Sequence, residues 1–342
     1  MIKKICLLTI LILFNYNFAF TENNFSDIGL GAMELNKMVN QTKKIVIAHR
    51  GASGYMPEHT LESYAYAYAS GANFIEPDLN MTKDGFLICI HNIHLEATTD
   101  VQKKFPEKVS SDGHYYVKDF TISEIKKLNV TTHKDANGRP IYPNRFNPDY
   151  EFLKIPTFEE AIMLVKGLNR STDKNVGIYP EMKNPAWHHK HNLDIEKATI
   201  EILSKYGYTN QKDNVYIQCF DENSLKRLSN EFQTQIKLVQ LIGSEKEYSH
   251  MLTDEGLKNI AKYASGIGPN KGLIEKDSSL VARAHNNGLL VHPWTFRKED
   301  VKEQYKSFEE ELKTFYFKYN VDGLFVEQPD LAYWVLNADK LK

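Results

Sequence analysis

Histidine, arginine and acidic side chains stand at the ends of several short apolar runs. The run Ile45–Ala48 leads directly into His49 and Arg50, and glycines follow at positions 51 and 54. A guanidinium group binds phosphate oxygens through its fork of donors, and glycine lets the backbone approach a ligand closely. The segment is therefore a candidate site for phosphate binding and proton transfer, although a surface turn with an incidental histidine is an open alternative.

Carboxylates hold comparable positions on two further strands. Glu76 and Asp78 flank Pro77, and the two-residue period of a strand places both acids on one face. Glu181 follows another apolar run and precedes Lys183 by two residues. Three carboxylates at strand ends favour a hard cation such as Ca²⁺ or Mg²⁺, whereas zinc would recruit histidine or cysteine. Each acid taken alone could equally be an ordinary capping or ion-pairing residue.

A second histidine, His91, follows the apolar run Phe86–Ile90. This run is expected to pair with the acidic strand through the turn Lys83–Gly85. Two histidines near a cation can divide the proton transfers of phosphodiester hydrolysis, because their pKa values can lie near neutrality. His94 is a weaker candidate and is expected to face solvent.

Beyond residue 44, short apolar runs alternate with amphipathic stretches, which is typical of βα units around a parallel sheet. The sequence predicts eight strands: Ile45–Ala48, Asn73–Leu79, Val176–Pro180, Val215–Gln218, Ile236–Ile242, Gly266–Gly268, Leu289–Pro293 and Gly323–Val326. Three helices with polar N-caps are predicted over residues 60–71, 157–165 and 221–227. Eight units favour a TIM barrel over an open doubly wound sheet, because no glycine-rich dinucleotide loop follows the first strand.

Residues 93–156 do not follow this alternation, and they are predicted to form an insertion after the second strand, at the catalytic end of the barrel. Loops of this length in a compact domain are usually functional lids or binding elements. Disorder is less favoured, because the segment contains aromatic residues that can be buried: Tyr115, Tyr116, Phe120, Tyr142, Phe146, Tyr150 and Phe152.

The N-terminus has the pattern of a secretory signal peptide. Lys3 and Lys4 precede the apolar run Ile5–Phe14, and small residues follow near Ala19. The apolar run is shorter than the roughly 20 residues that span a bilayer, so cleavage is favoured over a retained anchor. The sequence predicts a signal peptide over about residues 1–20, a periplasmic or otherwise exported protein, and a barrel domain over 44–340.

The charge balance argues against a main role in nucleic-acid binding. The 342 residues include 42 Lys and Arg against 44 Asp and Glu, and the two signs are interspersed. Cys89 and Cys219 lie in strand-like runs, where cysteine is more often a small buried hydrophobe than half of a disulfide. The fold is therefore not expected to depend on a disulfide.

Together these motifs resemble the glycerophosphodiester phosphodiesterase family. The resemblance covers nearly the whole mature chain and rests on five motifs: Val46–Thr60, Glu76-Pro-Asp78, Met81–Gly85, His91 and Glu181-Met-Lys183. Several other segments resemble the periplasmic branch most closely, among them Thr98–Asp100, Gly177–Glu181, Gln218–Asp221 and Val291–Pro293.

The resemblance implies a TIM barrel with a divalent cation, usually Ca²⁺. It implies hydrolysis of diesters such as glycerophosphocholine and glycerophosphoethanolamine to sn-glycerol 3-phosphate and an alcohol. It also implies roles for seven residues: acid and base for His49 and His91, metal ligation for Glu76, Asp78 and Glu181, and phosphate contacts for Arg50 and Lys183. Trp294, at a late strand end, is expected either to pack on the glycerol carbons or to be a core residue.

Two positions depart from the family pattern. Asn92 stands where an acid usually follows the second histidine, so it is expected to be a positioning group that has lost its charge. Alternatively, residue 92 points out into the insertion and contacts only backbone. The segment Phe325–Asp330 also departs from the usual motif, and the sequence offers no mechanistic interpretation of it.

Two other functions stay open. A catalytically weakened exported binding protein would keep the barrel and lose proton-transfer residues, yet both histidines and all three carboxylates are present. A phospholipase of the phosphatidylinositol or sphingomyelin type would share paired histidines and a cation. Such an enzyme docks on membranes, and no basic amphipathic stretch is evident after the leader. The sequence leaves the preferred alcohol undecided, and it is compatible with a homodimer.

Overall fold

Eight parallel strands close into a barrel in this computed structural model, which confirms the predicted TIM-barrel class. The structure describes residues 44–146 and 152–338, so the predicted signal peptide lies outside the described residues. The described residues form eleven strand segments: β1 (Ile45–His49), β2 (Phe74–Glu76), β3 (Asp78–Met81), β4 (Leu87–Cys89), β5 (Gly177–Ile178), β6 (Glu181–Met182), β7 (Tyr216–Cys219), β8 (Lys237–Ile242), β9 (Gly266–Pro269), β10 (Leu290–Val291) and β11 (Gly323–Val326). The segments β2 and β3 make one barrel strand, β5 and β6 make another, and the antiparallel β4 is additional to the eight.

Two prolines divide the barrel wall into two hydrogen-bonded ladders. Pro77 separates β2 from β3, and Pro180 lies between β5 and β6, because proline has no N–H to donate to a ladder. The ladders have the orders β11-β1-β2-β5 and β10-β9-β8-β7-β6-β3-β4. A parallel bridge between Phe296 and Val326 joins them near the closing edge. The predicted strand Asn73–Leu79 is therefore interrupted at Pro77.

β4 pairs antiparallel with β3, with Leu79 opposite Cys89. This confirms the hairpin expected through the turn Lys83–Gly85. The hairpin extends the sheet at the point where the insertion leaves the barrel, and it brings the residues that follow β4 back toward the acidic strand. His91 is therefore placed close to the carboxyl end of the second barrel strand.

The helices surround the barrel and begin mostly at polar caps. They are α1 (Leu61–Ala69), α2 (Val101–Lys104), α3 (Ile122–Ile125), α4 (Phe158–Thr172), α5 (Pro185–Lys190), α6 (Ile195–Lys205), α7 (Glu222–Asn230), α8 (Asp254–Ile260), α9 (Lys271–Lys276), α10 (Ser279–Asn286), α11 (Phe308–Lys313) and α12 (Pro329–Asn337). The predicted N-caps of α1, α4 and α7 each accept a backbone amide: Thr60, Thr157 and Asp221. Helix α4 continues past the predicted residue 165, since Leu168 still packs on the core.

The barrel interior is filled mainly by aromatic side chains. One buried cluster joins inward-facing residues of different strands: Ile47, Phe74, Tyr179, Tyr216, Val239 and Phe325. The Tyr179 hydroxyl lies 3.0 Å from His292 Nδ1, which satisfies two polar groups inside the barrel. A larger cluster packs the outer faces of the strands against the helices. The interior is therefore a packed core, and the site can form only at its end.

The insertion has an apolar core of its own. Its buried residues include Leu95, Val101, Tyr115, Val117, Phe120, Ile125, Leu128 and Val130. The insertion is thus folded where it is described, as its aromatic content indicates, but aliphatic side chains supply most of that core. Phe146 and Phe152 are 38% and 54% exposed, and Tyr150 lies outside the described residues.

Cys89 and Cys219 are both buried and free, in agreement with their expected role as small hydrophobes. No helix in the described ranges, 44–146 and 152–338, is both long and apolar enough to cross a bilayer.

Candidate active site

The carboxyl ends of the barrel strands open into a cleft of about 580 Å³. Six of the predicted site residues line this cleft: His49, Arg50, His91, Glu181, Lys183 and Trp294. The other two, Glu76 and Asp78, are each 1% exposed and contact residues of the cleft wall. The structure therefore brings all eight predicted residues to one end of the barrel, as expected for side chains at strand ends.

The backbone at the end of β1 turns sharply to bind the acidic strand. Arg50 has a φ of 57°, in the left-handed region, and its amide donates to Glu76 Oε2 at 2.7 Å. Gly51 follows with a φ of 84°, and a Cβ atom there would lie 2.4 Å from the Ser63 hydroxyl. A side chain at position 51 would thus be excluded both by conformation and by space.

Three carboxylates converge beside this turn. Glu76, Asp78 and Glu181 each offer one oxygen, and these three oxygens lie within 4.8 Å of one another. Asp78 pairs with Glu181 in register across β3 and β6, which explains the convergence of acids from distant parts of the chain. Among the described residues, no hydrogen-bond donor lies within bonding distance of the buried Asp78 Oδ1.

The three carboxylates lie close enough for their negative charges to repel. Burial and the neighbouring charges of Asp78 and Glu181 raise the pKa of Glu76 well above its ordinary range. Burial also raises the pKa of Glu181 to about 8. Burial acts in the same direction on Asp78, but Lys183 and His91 outweigh it, and its pKa falls well below the usual value. A cation between them would favour the charged form of all three.

The acidic cluster has the donor set of a hard-cation site. It offers only carboxylate oxygens, with one oxygen unpartnered, which suits Ca²⁺ or Mg²⁺ better than Zn²⁺. Gln218 Nε2 donates to Glu76 Oε1 at 3.2 Å, and His59 Nε2 lies 2.8 Å from Asp78 Oδ2. These contacts fix the two carboxylates from behind, as outer partners of metal ligands commonly do.

Arg50 and Lys183 place positive charge around the acidic cluster. Arg50 Nε lies 3.3 Å from Asp78 Oδ2, and its Nη1 donates to Glu58 at 2.9 Å. Lys183 Nζ donates to Glu181 Oε1 at 2.6 Å and lies 3.8 Å from Asp78 Oδ1. Both cations line the cleft, so each could contact a bound phosphate as well as the acids.

His49 is held by a carboxylate of the last barrel strand. Its Nδ1 lies 3.1 Å from Glu327 Oε1, and Glu327 also pairs with Arg297 at 2.6 Å and with Arg145 at 2.7 Å. Burial opposes ionisation of Glu327, but His49 and the two guanidinium groups outweigh it and hold its pKa well below the usual range. Burial and the nearby Arg50 lower the pKa of His49 to about 4.

His91 has an amide partner instead. Its Nδ1 lies 2.7 Å from Asn92 Oδ1, so residue 92 does not simply point out into the insertion. The Asn80 amide donates to the carbonyl oxygen of Ile90 at 2.8 Å, with longer contacts to those of His91 and Asn92, and thereby fixes this turn. Burial, together with the charges of Arg50 and Lys183, lowers the pKa of His91 well below its ordinary value.

Trp294 is half-buried at the cleft, with its indole N–H bound to the Gly268 carbonyl at 2.7 Å. Its ring meets that of Phe220 edge-on at 5.5 Å. The indole therefore lines the cleft and also packs against the buried cluster inside the barrel, so both interpretations of Trp294 stay open.

Comparison with known proteins agrees with this geometry. The sequence model of the glycerophosphoryl diester phosphodiesterase family matches residues 49–331. A glycerophosphodiester phosphodiesterase of Haemophilus influenzae is 41% identical over 333 residues, covering 88% of this chain and 92% of that protein. One of Treponema pallidum is 33% identical over 324 residues, covering 85% and 91%. The chain belongs to the glycerophosphoryl diester phosphodiesterase family of enzymes.

Solved structures show the same fold at lower sequence identity. A glycerophosphodiester phosphodiesterase from Agrobacterium tumefaciens superposes with a TM-score of 0.58 at 18% identity, covering 84% of this chain and 98% of that one. A phosphodiesterase from Oleispira antarctica, solved in complex with the product sn-glycerol-3-phosphate, gives a TM-score of 0.62 at 19% identity, covering 86% and 96%. Family membership thus confirms both the predicted enzyme class and the barrel.

Several residues that build the site were missed by the sequence analysis. Glu327 directly follows the predicted strand Gly323–Val326. The principle that barrel sites lie at the carboxyl ends of strands, which identified His49, could therefore have identified Glu327 as well. Arg145, in the insertion, and Arg297 carry no comparable sequence signal, because only the folded chain brings them to Glu327. The contacts of Glu327 with His49, Arg145 and Arg297 thus give a structural role to one residue of the segment Phe325–Asp330.

The position of His94 differs from the prediction that it faces solvent. It does not simply face solvent, because it is half-buried and its ring stacks on that of His114 at 4.0 Å. Both histidines and Glu96 belong to the insertion and form a polar group separate from the acidic cluster. His114 Nδ1 lies 2.5 Å from Glu96 Oε1, and His94 joins the group through its ring stack on His114.

Proposed function

We propose that the protein hydrolyses glycerophosphodiesters, such as glycerophosphocholine and glycerophosphoethanolamine, to sn-glycerol 3-phosphate and an alcohol. The observation that carries this proposal is the convergence of three carboxylates, two histidines and two cationic side chains on one cleft. These groups match the needs of a phosphodiester, which are charge neutralisation, proton removal and proton delivery. The names of the curated relatives give independent support for the substrate class.

The proposed metal ligands are Glu76, Asp78 and Glu181, and the proposed ion is Ca²⁺, with Mg²⁺ as the alternative. A bound divalent cation would polarise the phosphate oxygens and offset the negative charge that develops on them. Arg50 and Lys183 flank the same cluster, so they contribute donors to phosphate oxygens from the protein itself. Arg50 also stays charged, because the surrounding carboxylates raise its pKa despite its burial.

The two histidines differ in partner, and the difference suggests their roles. The ionised Glu327 stabilises the imidazolium form of His49, so we assign His49 the delivery of a proton to the leaving oxygen. Asn92 Oδ1 accepts from the Nδ1–H of neutral His91, which leaves Nε2 free to take a proton from the nucleophile that attacks phosphorus. A bound phosphodiester anion would raise the pKa of both imidazoles toward neutrality.

Trp294 is the proposed contact for the glycerol carbons. It lines the cleft together with Leu241 and Phe325, which supply apolar surface beside the polar groups of Asn270 and Lys271. A glycerol unit presents both carbon and hydroxyl surface, so a wall of mixed character suits it.

The proposal is tested by turnover of glycerophosphocholine with and without a chelator, coupled to detection of glycerol 3-phosphate. We expect release of glycerol 3-phosphate and choline that stops with EGTA and returns with excess Ca²⁺. Release of phosphocholine would show cleavage of the other ester bond. Full activity in both EGTA and EDTA would refute the metal requirement, because EDTA also removes Mg²⁺. Higher activity on micellar phospholipid than on soluble glycerophosphocholine would indicate a phospholipase instead.

We further propose that the protein acts in the periplasm or otherwise outside the cytoplasm, as a member of the periplasmic branch. The support is the leader pattern of residues 1–20 and the branch-like segments, such as Gly177–Glu181. The mature protein would then begin after about residue 20 and contain the barrel domain, over residues 44–340. Immunodetection of the mature form in the periplasmic or culture fraction would test this, and retention of the full-length chain inside cells would contradict it.

Replacing Asn92 by Asp should move the pH–rate profile. A carboxylate 2.7 Å from His91 Nδ1 would stabilise the imidazolium form, so the pKa of His91 would rise from its depressed value. The limb of kcat/KM that depends on His91 is therefore expected to shift to higher pH. Measuring kcat/KM from about pH 5 to pH 9 for the native protein and for Asn92→Asp tests whether residue 92 influences the pKa of His91. Overlapping profiles would mean that residue 92 has only a structural role.

A further inference from the structure

A second cleft, of about 750 Å³, meets the first at the acidic cluster. The two clefts share four lining residues: His91, Glu181, Lys183 and Phe220. A phosphodiester has two ester arms, and a phosphate at this junction would direct one arm into each cleft. A third cleft, of about 350 Å³, also meets the first at Arg50 and His91, but only the second cleft shares Glu181 and Lys183 with it. If the glycerol arm lies against Trp294, the second cleft is therefore the larger space open to the alcohol arm.

Aromatic side chains line the second cleft. Phe220, Tyr248 and Trp187 all contribute to its wall, and the rings of Phe220 and Tyr248 lie 5.9 Å apart at 57°. Tyr116 of the insertion stacks on Trp187 at 5.8 Å and 22°, and His191 packs on it at 4.5 Å. The indole is thus held at the cleft by two neighbours. The negative faces of such rings attract organic cations.

A carboxylate stands among these rings. Asp221 lines the second cleft, and its Oδ1 caps α7 by accepting from the amides of Asn223 and Ser224. Partial burial raises the pKa of the Tyr248 hydroxyl, and Asp221 is one of the nearby acids that add to this shift. The capping role alone requires a polar oxygen but no charge, since asparagine caps helices as well as aspartate does.

The positive charges of the two lysines in the second cleft do not cancel the attraction of its rings and carboxylate for an organic cation. Lys183 Nζ lies 5.8 Å from the centroid of Phe220, but it donates to Glu181 Oε1 at 2.6 Å, and this carboxylate offsets its charge. Lys190 is exposed at the last residue of α5, where its long side chain can extend into solvent. The inner wall therefore keeps the aromatic rings and the carboxylate as its distinctive groups.

We propose that the second cleft binds the alcohol arm of the diester and selects alcohols that carry an ammonium group. This inference rests on the proposed function, because it concerns which alcohol that reaction releases. Recognition combines the charge of Asp221 with the ring faces of Trp187, Phe220 and Tyr248. An uncharged alcohol would meet the same apolar surface and lack the electrostatic attraction.

The test compares two diesters that differ only in charge. Glycerophosphocholine is measured against its analogue with 3,3-dimethylbutanol, in which a carbon atom replaces the quaternary nitrogen. We expect a ratio of kcat/KM of about 10 in favour of the cationic diester, carried mainly by KM. Choline is also expected to inhibit as a product, whereas 3,3-dimethylbutanol is not.

Two substitutions in the second cleft test whether this cleft causes the preference for the cationic diester. Asp221→Asn keeps an oxygen that caps α7 and removes the charge, so the ratio should fall to about 3 or less, mainly through a higher KM for the cationic diester. Trp187→Leu should lower the ratio similarly. Trp334→Leu is the matched control, because Trp334 is 58% exposed on α12, and it should leave the ratio unchanged.

The outcomes separate the inference from the proposed function. Equal kcat/KM for both diesters in the native protein, or a ratio unaffected by Asp221→Asn and Trp187→Leu, would overturn the inference and leave the hydrolytic function standing. Absence of glycerol 3-phosphate from either diester would overturn the proposed function itself, and the inference with it.

Discussion

Replacing Glu181 by Gln is expected to lower the turnover of glycerophosphocholine by more than about 10²-fold and to abolish thermal stabilisation by calcium. Gln keeps the size of the side chain but removes one of three converging carboxylates, and the remaining two cannot match the charge of the site. In the native protein, Ca²⁺ at 100 times its Kd should stabilise the fold by about 2.7 kcal/mol. Thermal melts with Ca²⁺ and with EGTA measure this difference.

Glu96→Gln is the control for this experiment. Glu96 belongs to the separate polar group of the insertion, with His94 and His114, and it offers a carboxylate without belonging to the acidic cluster. Both the activity and the calcium response should survive this change. A normal calcium response in Glu181→Gln would show that the ion binds elsewhere.

Removing either of the two histidines proposed as acid and base should lower the activity and leave metal binding intact. His49→Ala and His91→Ala are each expected to reduce kcat by about 10²-fold or more, because positioned proton transfer contributes a factor of that order. Calcium-dependent stabilisation should persist, since neither imidazole is part of the carboxylate cluster. His250→Ala, at an exposed position, is the control. Near-normal turnover in either catalytic variant would make that histidine a structural residue.

Glu327→Gln refines this result for His49. The amide oxygen can still accept from His49 Nδ1, but the charge that stabilises imidazolium is lost. We expect a smaller fall in kcat than for His49→Ala, about 10-fold, together with a shift of the His49-dependent limb to lower pH. A variant with native kcat and an unshifted profile would show that Glu327 serves only to bind Arg145 and Arg297.

The sequence was sufficient for the parts of the site that follow local rules. Strand alternation predicted the barrel, and the rule that barrel sites lie at strand ends selected His49, Glu76, Asp78 and Glu181. Structure and prediction agree here because hydrophobic periodicity and the chemistry of strand ends are properties of a few neighbouring residues. The sequence predicted the second barrel strand but not its interruption at Pro77. This proline removes one hydrogen-bond donor and leaves the direction of the chain unchanged.

The rest depends on contacts between distant parts of the chain. Arg145 reaches Glu327 only because the insertion folds over the mouth of the barrel and pairs with the loop after β10 through Glu299. The position of Asn92 was left open by the sequence, because the turn after β4 is fixed by a buried amide, Asn80, on the adjacent strand. Neither contact has a signature within a short window of sequence.

The pairing of His49 with Glu327 has a consequence for how activity arises during synthesis. The two residues are 278 positions apart, whereas Glu76, Asp78 and Glu181 have all been made when little more than half of the chain exists. A nascent or C-terminally truncated chain could carry the acidic residues and still lack the group that orients His49. Because long-range contacts of this kind form late, hydrolytic activity should appear only when the final strand joins the barrel.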